Sequence, residues 1–319
     1  MNLLPAPAKR WLRRMANLPR YGPLGLHDPQ QFVEVWLEGC GAPRDVTRNN
    51  VVAALRPFTI GVMLEAASAE ASAGADLRLA MRQRGSGFLL GVIHLRLAST
   101  IPLGALRFCL FETPKCENHC VPAATLRLYY QRQRWRSWQR QRKNPYNFRM
   151  TLSDIRCSYV FYQCPRPVVL VSVQHEGSSN MFPMDLIGPT DSPCFSMALR
   201  STSPAVRLMQ QSRRMALASA PFTYKDTAYE LGRHHKLASI DWTSLPFPTE
   251  PSPEFGLPVP EAALRVREVK VEEFHEVGSH VLFLTSVVRD TVPATARELQ
   301  LFHSFSSYRQ YLAMTGRTA

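Results

Sequence analysis

A chain of 319 residues, 45% of them hydrophobic, is long enough for two domains with a core in each. Its longest apolar stretches, such as PVVLVSV at 167–173, fall far short of the ~20 residues of a bilayer-spanning helix, so no membrane span is expected. The net charge of +13 sits in the first half, where residues 1–150 hold 22 Lys and Arg against 9 Asp and Glu and residues 151–319 hold 16 of each, so any attraction for polyanions belongs there.

The first twenty residues read as a basic arm with a short helix around Lys9–Leu18. They carry no continuous apolar run ahead of a cleavage site, which points away from a secretory signal and makes a cytoplasmic location the expectation. The odd number of cysteines, seven, suits reduced thiols. Residues 27–39 predict a short amphipathic helix, with Asp28 as cap, Pro29 in the first turn and Phe32, Val35 and Trp36 on one face. Another helix is expected to begin at Asp45 and stop at Pro57. Five strand-like segments follow: FTIGVMLEA, LRLAMRQR, FLLGVIHLRLA, ALRFCLFET and ATLRLYYQRQRWRSW. They predict a small antiparallel sheet or barrel, so residues 1–145 read as a basic β-rich domain with short helices.

On a strand, Arg132, Arg134 and Arg136 would share one face beside Tyr129, Tyr130, Trp135 and Trp138. Such a face grips single-stranded nucleic acid or an acidic partner; the plainer reading is a solvated strand end, and no RNP, KH, zinc-finger or helix-turn-helix signature accompanies it. Cys116, His119 and Cys120 are the only tight cluster of soft metal ligands. The second ligand pair of a zinc site is missing, although Cys109 offers a third thiolate, so the expectation is reduced cysteines and no assigned metal. The GSG at 85–87 reads as a turn.

From 146 onward the pattern is more regular. Thr151 and Asp154 suit the start of a helix through Ile155, Tyr159 and Val160, and PRPVVLVSVQ reads as a buried strand. HEGSSN supplies a turn into NMFPMDLIG, CFSMALR is a further strand, and SPAVRLMQQSRRMALASAP reads as helix then strand. The proline-rich 246–261 predicts an extended excursion, either covering a cofactor pocket or wandering over the surface.

The succession PRPVVLVSV, turn, Asn180-Met-Phe-Pro183, CFSMALR and Arg200-Ser-Thr-Ser203 resembles the flavin reductase-like family. The resemblance extends through ELGRHHKLASIDWT, ALRVREVKVEEFHEVGSHVLFLTSVV and LFHSFSSYRQYL, covering about 150–315. It implies an FMN-binding split β-barrel over 146–319, and with the first half a mainly β chain with α-helices (α+β). It also implies that Asn180, Met181, Phe182, Pro183, Met184 and Asp185 lie along the isoalloxazine, and that Arg200, Ser201, Thr202 and Ser203 hold the phosphate. His280, at the start of a strand and the site's edge, and His303 and Tyr308, in the closing segment that approaches the nicotinamide side in relatives, become the catalytic candidates. FMN or FAD is the implied cofactor and NADH or NADPH the donor, in a homodimer that passes reduced flavin to a partner oxygenase. The plainer alternatives are a turn closed by Asn180 and an ordinary polar loop at 200–203. Two departures stand out: Ser203-Pro204-Ala205 occupies the place of a Lys-Asp-Thr-like triplet, and Met184-Asp185 stands where the family has small or hydroxyl residues. Two other functions compete: a non-catalytic split-barrel module whose basic N-terminal domain engages nucleic acid or an acidic partner, and a metal or redox module built on Cys116 and Cys120 that exchanges electrons with the flavin.

Overall fold

The structure is a computed structural model that describes residues 21–28, 31–71, 76–143, 149–188, 194–293 and 298–305. The arm with its Lys9–Leu18 helix and Tyr308 lie outside these residues. The first half runs β1 (Tyr21–Leu26), β2 (Val33–Glu38), β3 (Arg44–Asp45), β4 (Asn50–Leu55), β5 (Phe58–Glu65), α1 (Ala66–Ala71), β6 (Leu77–Gln83), β7 (Leu89–Leu103) and β8 (Leu106–Asn118). Two helices follow, α2 (Ala123–Lys143) and α3 (Leu152–Phe161). The second half holds β9 (Arg166–Pro167), β10 (Val169–His175), β11 (Ser178–Met184), β12 (Ile187–Gly188), β13 (Cys194–Arg200), α4 (Pro204–Ser212), β14 (Arg214–Ser219) and α5 (Lys225–Leu231). It ends with β15 (Thr249–Pro251), β16 (Pro258–Pro260), β17 (Val266–Val277), β18 (His280–Thr291) and β19 (Gln300–Phe305). The chain is mainly β with helices, an α+β fold.

One seven-stranded antiparallel sheet has the order β3-β2-β6-β7-β8-β5-β4, and a second the order β11-β10-β14-β17-β18-β13-β12. A smaller sheet, β1-β19-β9, pairs Tyr21–Leu26 with Gln300–Phe305.

Three sequence expectations are corrected. The helix at 27–39 is strand β2, in which Val33, Val35 and Leu37 are buried while Glu34, Trp36 and Glu38 are half-exposed. A period of two governs it, and the helical spacing of Phe32, Val35 and Trp36 was incidental. The helix expected after Asp45 is strand β4, where Val51 and Val52 pack on the pleat against β5. The segment taken as a fifth strand is helix α2, which buries Leu126, Tyr129 and Tyr130 at helical spacing. Its run of Gln, Arg and Lys favours helix and contains no β-branched residue after Thr125. Arg132, Arg134 and Arg136 therefore do not share a face: Arg132 and Arg136, a turn apart, are half-buried, and Arg134 is exposed on the other side.

Helix α3 begins as expected. Thr151 Oγ1 accepts from Asp154 N–H while the Asp154 carboxylate accepts from Thr151 N–H at 2.8 Å, a capping box. The same carboxylate accepts from Phe58 N–H at 2.9 Å, so the cap also fixes α3 to the start of β5. The proline-rich excursion is a β15–β16 hairpin, not a wandering loop. Its Leu257 and Val259 are buried with Ala216, Ala218 and Val266, and the Glu268 carboxylate accepts from Ser252 Oγ, Glu254 N–H and Phe255 N–H.

The two large sheets meet through β4, which lies against β12, β13 and β18. Arg166 stitches this seam from within. Its guanidinium donates to Asn50 Oδ1 at 2.8 Å, Asn50 O at 2.6 Å and Ile187 O at 3.1 Å, and sits over the Phe161 ring. Gly188 allows the close approach: a Cβ there would stand 2.6 Å from the Asn50 carbonyl oxygen. Arg166→Met fills the same volume but leaves three buried acceptors without donors, and should lower stability by about 3 kcal/mol or more. Chemical denaturation of the two proteins checks it; an unchanged midpoint would show that the seam does not rest on this residue.

Candidate functional site

A cleft of about 630 Å³ opens along this seam. Its second-half wall carries Pro183, Met184 and Asp185 at the end of β11, Ala198 to Arg200 at the end of β13, and His235, His280 and His303. The facing wall belongs to α2 and α3. From α2 come Tyr129, Gln133, Arg136 and Ser137, and from α3 and its end Ile155, Ser158, Tyr159 and Tyr162, with Leu55 of β4 at the floor. The spacing of the α2 residues, i, i+4, i+7 and i+8, is one face of a helix. Tyr129 packs edge-on against Tyr159 with ring centroids 4.8 Å apart, which locks the two helices together behind that face.

Asp185 is held from two sides. It accepts from the Tyr162 hydroxyl at 3.0 Å, and His303 Nδ1 lies 2.7 Å away. Burial pushes its carboxyl up, but the hydrogen bond and charge of His303, the Tyr162 hydroxyl and nearby Arg166 outweigh this and hold it below the usual carboxylate range. Burial, then the Asp185 charge, drives Tyr162 well above the ordinary phenol value, so it stays a hydrogen-bond donor. His280 is buried where β18 starts and pairs in register with Arg200. Its Nδ1 accepts from Leu55 N–H at 3.4 Å and lies 2.9 Å from Ser279 Oγ. Burial, then the Arg200 charge, depresses its pKa to about 3. It is a neutral imidazole whose proton sits on Nε2.

The residues named from the sequence divide into two groups. Pro183, Met184, Asp185, Arg200, His280 and His303 come together on the cleft. Asn180, Met181 and Phe182 are buried away from it. Met181 and Phe182 belong to separate apolar cores, and Asn180 Nδ2 donates to the carbonyls of His234 and Leu237, closing the insertion against β11. The edge of β11 there is taken as well: Ile240 N–H donates to Ser179 O, and His234 Nδ1 sits 3.0 Å from Met181 O. Ser201, Thr202 and Ser203 form the turn before α4 and are not among the lining residues. Ser201 donates to Ser279 O, and the Ser203 hydroxyl donates to His235 O. The α2 and α3 wall was missed because α2 was read with the wrong period.

The cysteine cluster is dispersed. Cys116 on β8 pairs with Cys157 of α3, Cys120 is buried with its thiol toward Leu90 O, and His119 is exposed. Burial pushes the Cys109 and Cys120 thiols up to about 11 and about 12, far from thiolates at neutral pH. Among the described residues no three His, Cys, Asp or Glu are placed to hold a metal ion. Among them too, no helix is long and apolar enough to cross a membrane.

Residues 161–312 match the model of the flavin reductase like domain, and the N-terminal half matches no family model. The FMN-binding protein of Thermus thermophilus is 24% identical over 46% of this chain and 88% of its own, with a TM-score of 0.40. The NADH:FAD oxidoreductase of Streptomyces globisporus is 16% identical over 47% and 88%, with a TM-score of 0.42. The styrene monooxygenase flavin reductase of Pseudomonas putida is 18% identical over 45% and 96%, with a TM-score of 0.37. No curated protein matches the chain. The match to the flavin reductase like domain thus falls on the second half, whose main sheet has seven antiparallel strands.

The environment of His280 predicts a pH response. Unfolded, the ring protonates near pH 6.5; folded, only near 3. Its share of stability is fully present above pH 6.5 and is lost as pH falls toward 3, with a slope of up to ~1.4 kcal/mol per unit. Denaturation midpoints of the protein and of His280→Asn across this range check it: the variant should lose that part of the slope. Ring nitrogen shifts should show a neutral imidazole at pH 5.

Proposed function

We propose that the cleft binds FMN and that the protein is an NAD(P)H-dependent flavin oxidoreductase. The observation that carries this reading is the convergence of Arg200, Asp185 and His280 on one cleft within the domain matched by the flavin reductase model. The cleft suits the group: its volume is that of a cofactor site, and its walls combine aromatic and aliphatic side chains with polar groups, among them Arg136, Asp185, Arg200 and His280. Arg200 would hold the phosphate beside the first turn of α4, whose N–H groups favour an anion. Asp185, kept ionised, accepts a hydrogen bond, and His280, kept neutral, donates one without adding charge. Tyr129, Tyr159 and Leu55 keep water from the ring's apolar face. When bound, the flavin supplies hydride acceptance from a nicotinamide. The residues need only orient it, and a dedicated general base is not required. His303 positions Asp185 through its 2.7 Å contact. Electrons would leave through free flavin to a partner such as an oxygenase.

A second reading, an anionic binding partner for the N-terminal half, is favoured by the outer face of α2. Trp135 there is 57% exposed, and the Arg142 guanidinium lies 4.2 Å from the centre of the Trp138 ring. Retention on a polyanion that falls steeply with salt and is lost in Arg134→Ala/Arg142→Ala would support it.

The flavin reading is tested by titrating FMN and riboflavin into the protein and into Arg200→Ala. FMN should bind the variant at least ~10-fold more weakly, while riboflavin, which lacks the phosphate, should bind both alike. A protein that binds neither flavin overturns the assignment.

A further inference from the structure

The two large sheets are the same sheet twice. If β2 to β8 are matched in order to β10, β11, β12, β13, β14, β17 and β18, the first strand order becomes the second without a change. All six pairings are reproduced, each antiparallel.

The agreement extends to register. The hairpins β7–β8 and β17–β18 both close on a two-residue turn led by a glycine of positive φ, Gly104 at 62° and Gly278 at 51°, with last pairs Leu103↔Leu106 and Val277↔His280. From that turn, β8 and β18 each pair with the next strand over seven successive residues, ending at Glu65↔Leu106 and Arg200↔His280. A short helix then precedes the next strand in both halves, α1 before β6 and α4 before β14. The long insertion of the second half, with α5 and the β15–β16 hairpin, falls where the first half has only the turn between β6 and β7.

The halves also face each other through like elements. β4 corresponds to β12, and these two strands meet at the seam, where Gly188 lies against Asn50. Such contact between equivalent patches is the signature of a two-fold interface, here inside one chain. Register also shows what the first repeat lacks. Glu65, an exposed carboxylate, stands where the second repeat has Arg200, and Leu106 stands where it has His280. The counterpart of β11 is only Arg44–Asp45. A phosphate brought to the first repeat would meet a negative charge.

We propose that the chain is a covalently joined pair of split-barrel repeats: the N-terminal repeat has no nucleotide site of its own, and with the helices that follow it serves as the built-in partner that walls the C-terminal site. One chain then holds one flavin and needs no second copy. The stoichiometry rests on the flavin reading above, while the pairing of repeats does not.

Light scattering of the full chain, with and without FMN, should give the mass of a single chain, 36.1 kDa. Titration should saturate at one FMN per chain. A dimer mass or two FMN per chain overturns the proposal. Arg200→Ala and Gln133→Ala/Arg136→Ala alter opposite walls, and each should weaken FMN binding at least ~10-fold. An equimolar mixture of the two should recover no tight sites, because both walls of every cleft come from one chain. Recovery on mixing would place the walls on different chains, and wild-type affinity in the α2 variant would remove that helix from the site; either overturns the proposal. A wild-type protein that binds no flavin refutes the reading of the cleft, and the single-chain mass then decides the pairing of repeats by itself.

Discussion

Burying a guanidinium is expensive unless every donor finds an acceptor, and the seam between the two sheets is built around that requirement. Arg166 reaches across from the second half to the backbone and side chain of Asn50 in the first, and to Ile187 beside it. Three acceptors on two strands fix their spacing. The cleft edge then follows: Asp185 lies two residues before Ile187, and Leu55 ends the strand that Asn50 begins. The charge that pins the seam also helps to keep Asp185 ionised, so one buried cation serves both packing and the electrostatics of the site.

How much could be read from the residues depended on whether a local pattern decided the structure. The capping box at Thr151 and Asp154, the buried strand at 169–175 and the paired strands at 266–291 are local signals, and all three are found. Residues 33–38 and 123–143 were misread because each offered two periods at once. In VEVWLE the alternation of Val33, Val35 and Leu37 decided for strand, while in α2 a run of helix formers outweighed the alternation of arginines. The second error hid half the site, since Tyr129, Gln133 and Arg136 form a set only at helical spacing. Asn180 shows the opposite limit: the motif was visible, but the insertion at 234–240 that claims its amide and the neighbouring strand edge comes from far along the chain.

The histidines show how placement rather than residue type sets a role. His280, enclosed near Arg200, is held neutral; His303 lies against a carboxylate on an outer sheet, between the rings of Tyr162 and Tyr229. One offers a fixed dipole and the other a partner for charge. The lining of the site therefore includes a cation, Arg200, and a carboxylate, Asp185, together with the aromatic side chains of Tyr129, Tyr159 and Tyr162.

The pairing of β1 with β19 carries a consequence for how the molecule is made. Residues 21–26 precede every other described strand, yet among the described residues their strand partner is 300–305, and the same late strand brings His303 to Asp185. Of the described strands, the earliest in the chain is therefore among the last to be seated. The first sheet can assemble during translation, but Asp185 acquires its His303 partner only after residues 300–305 have emerged, so a product that stops before them has a framework without a finished site.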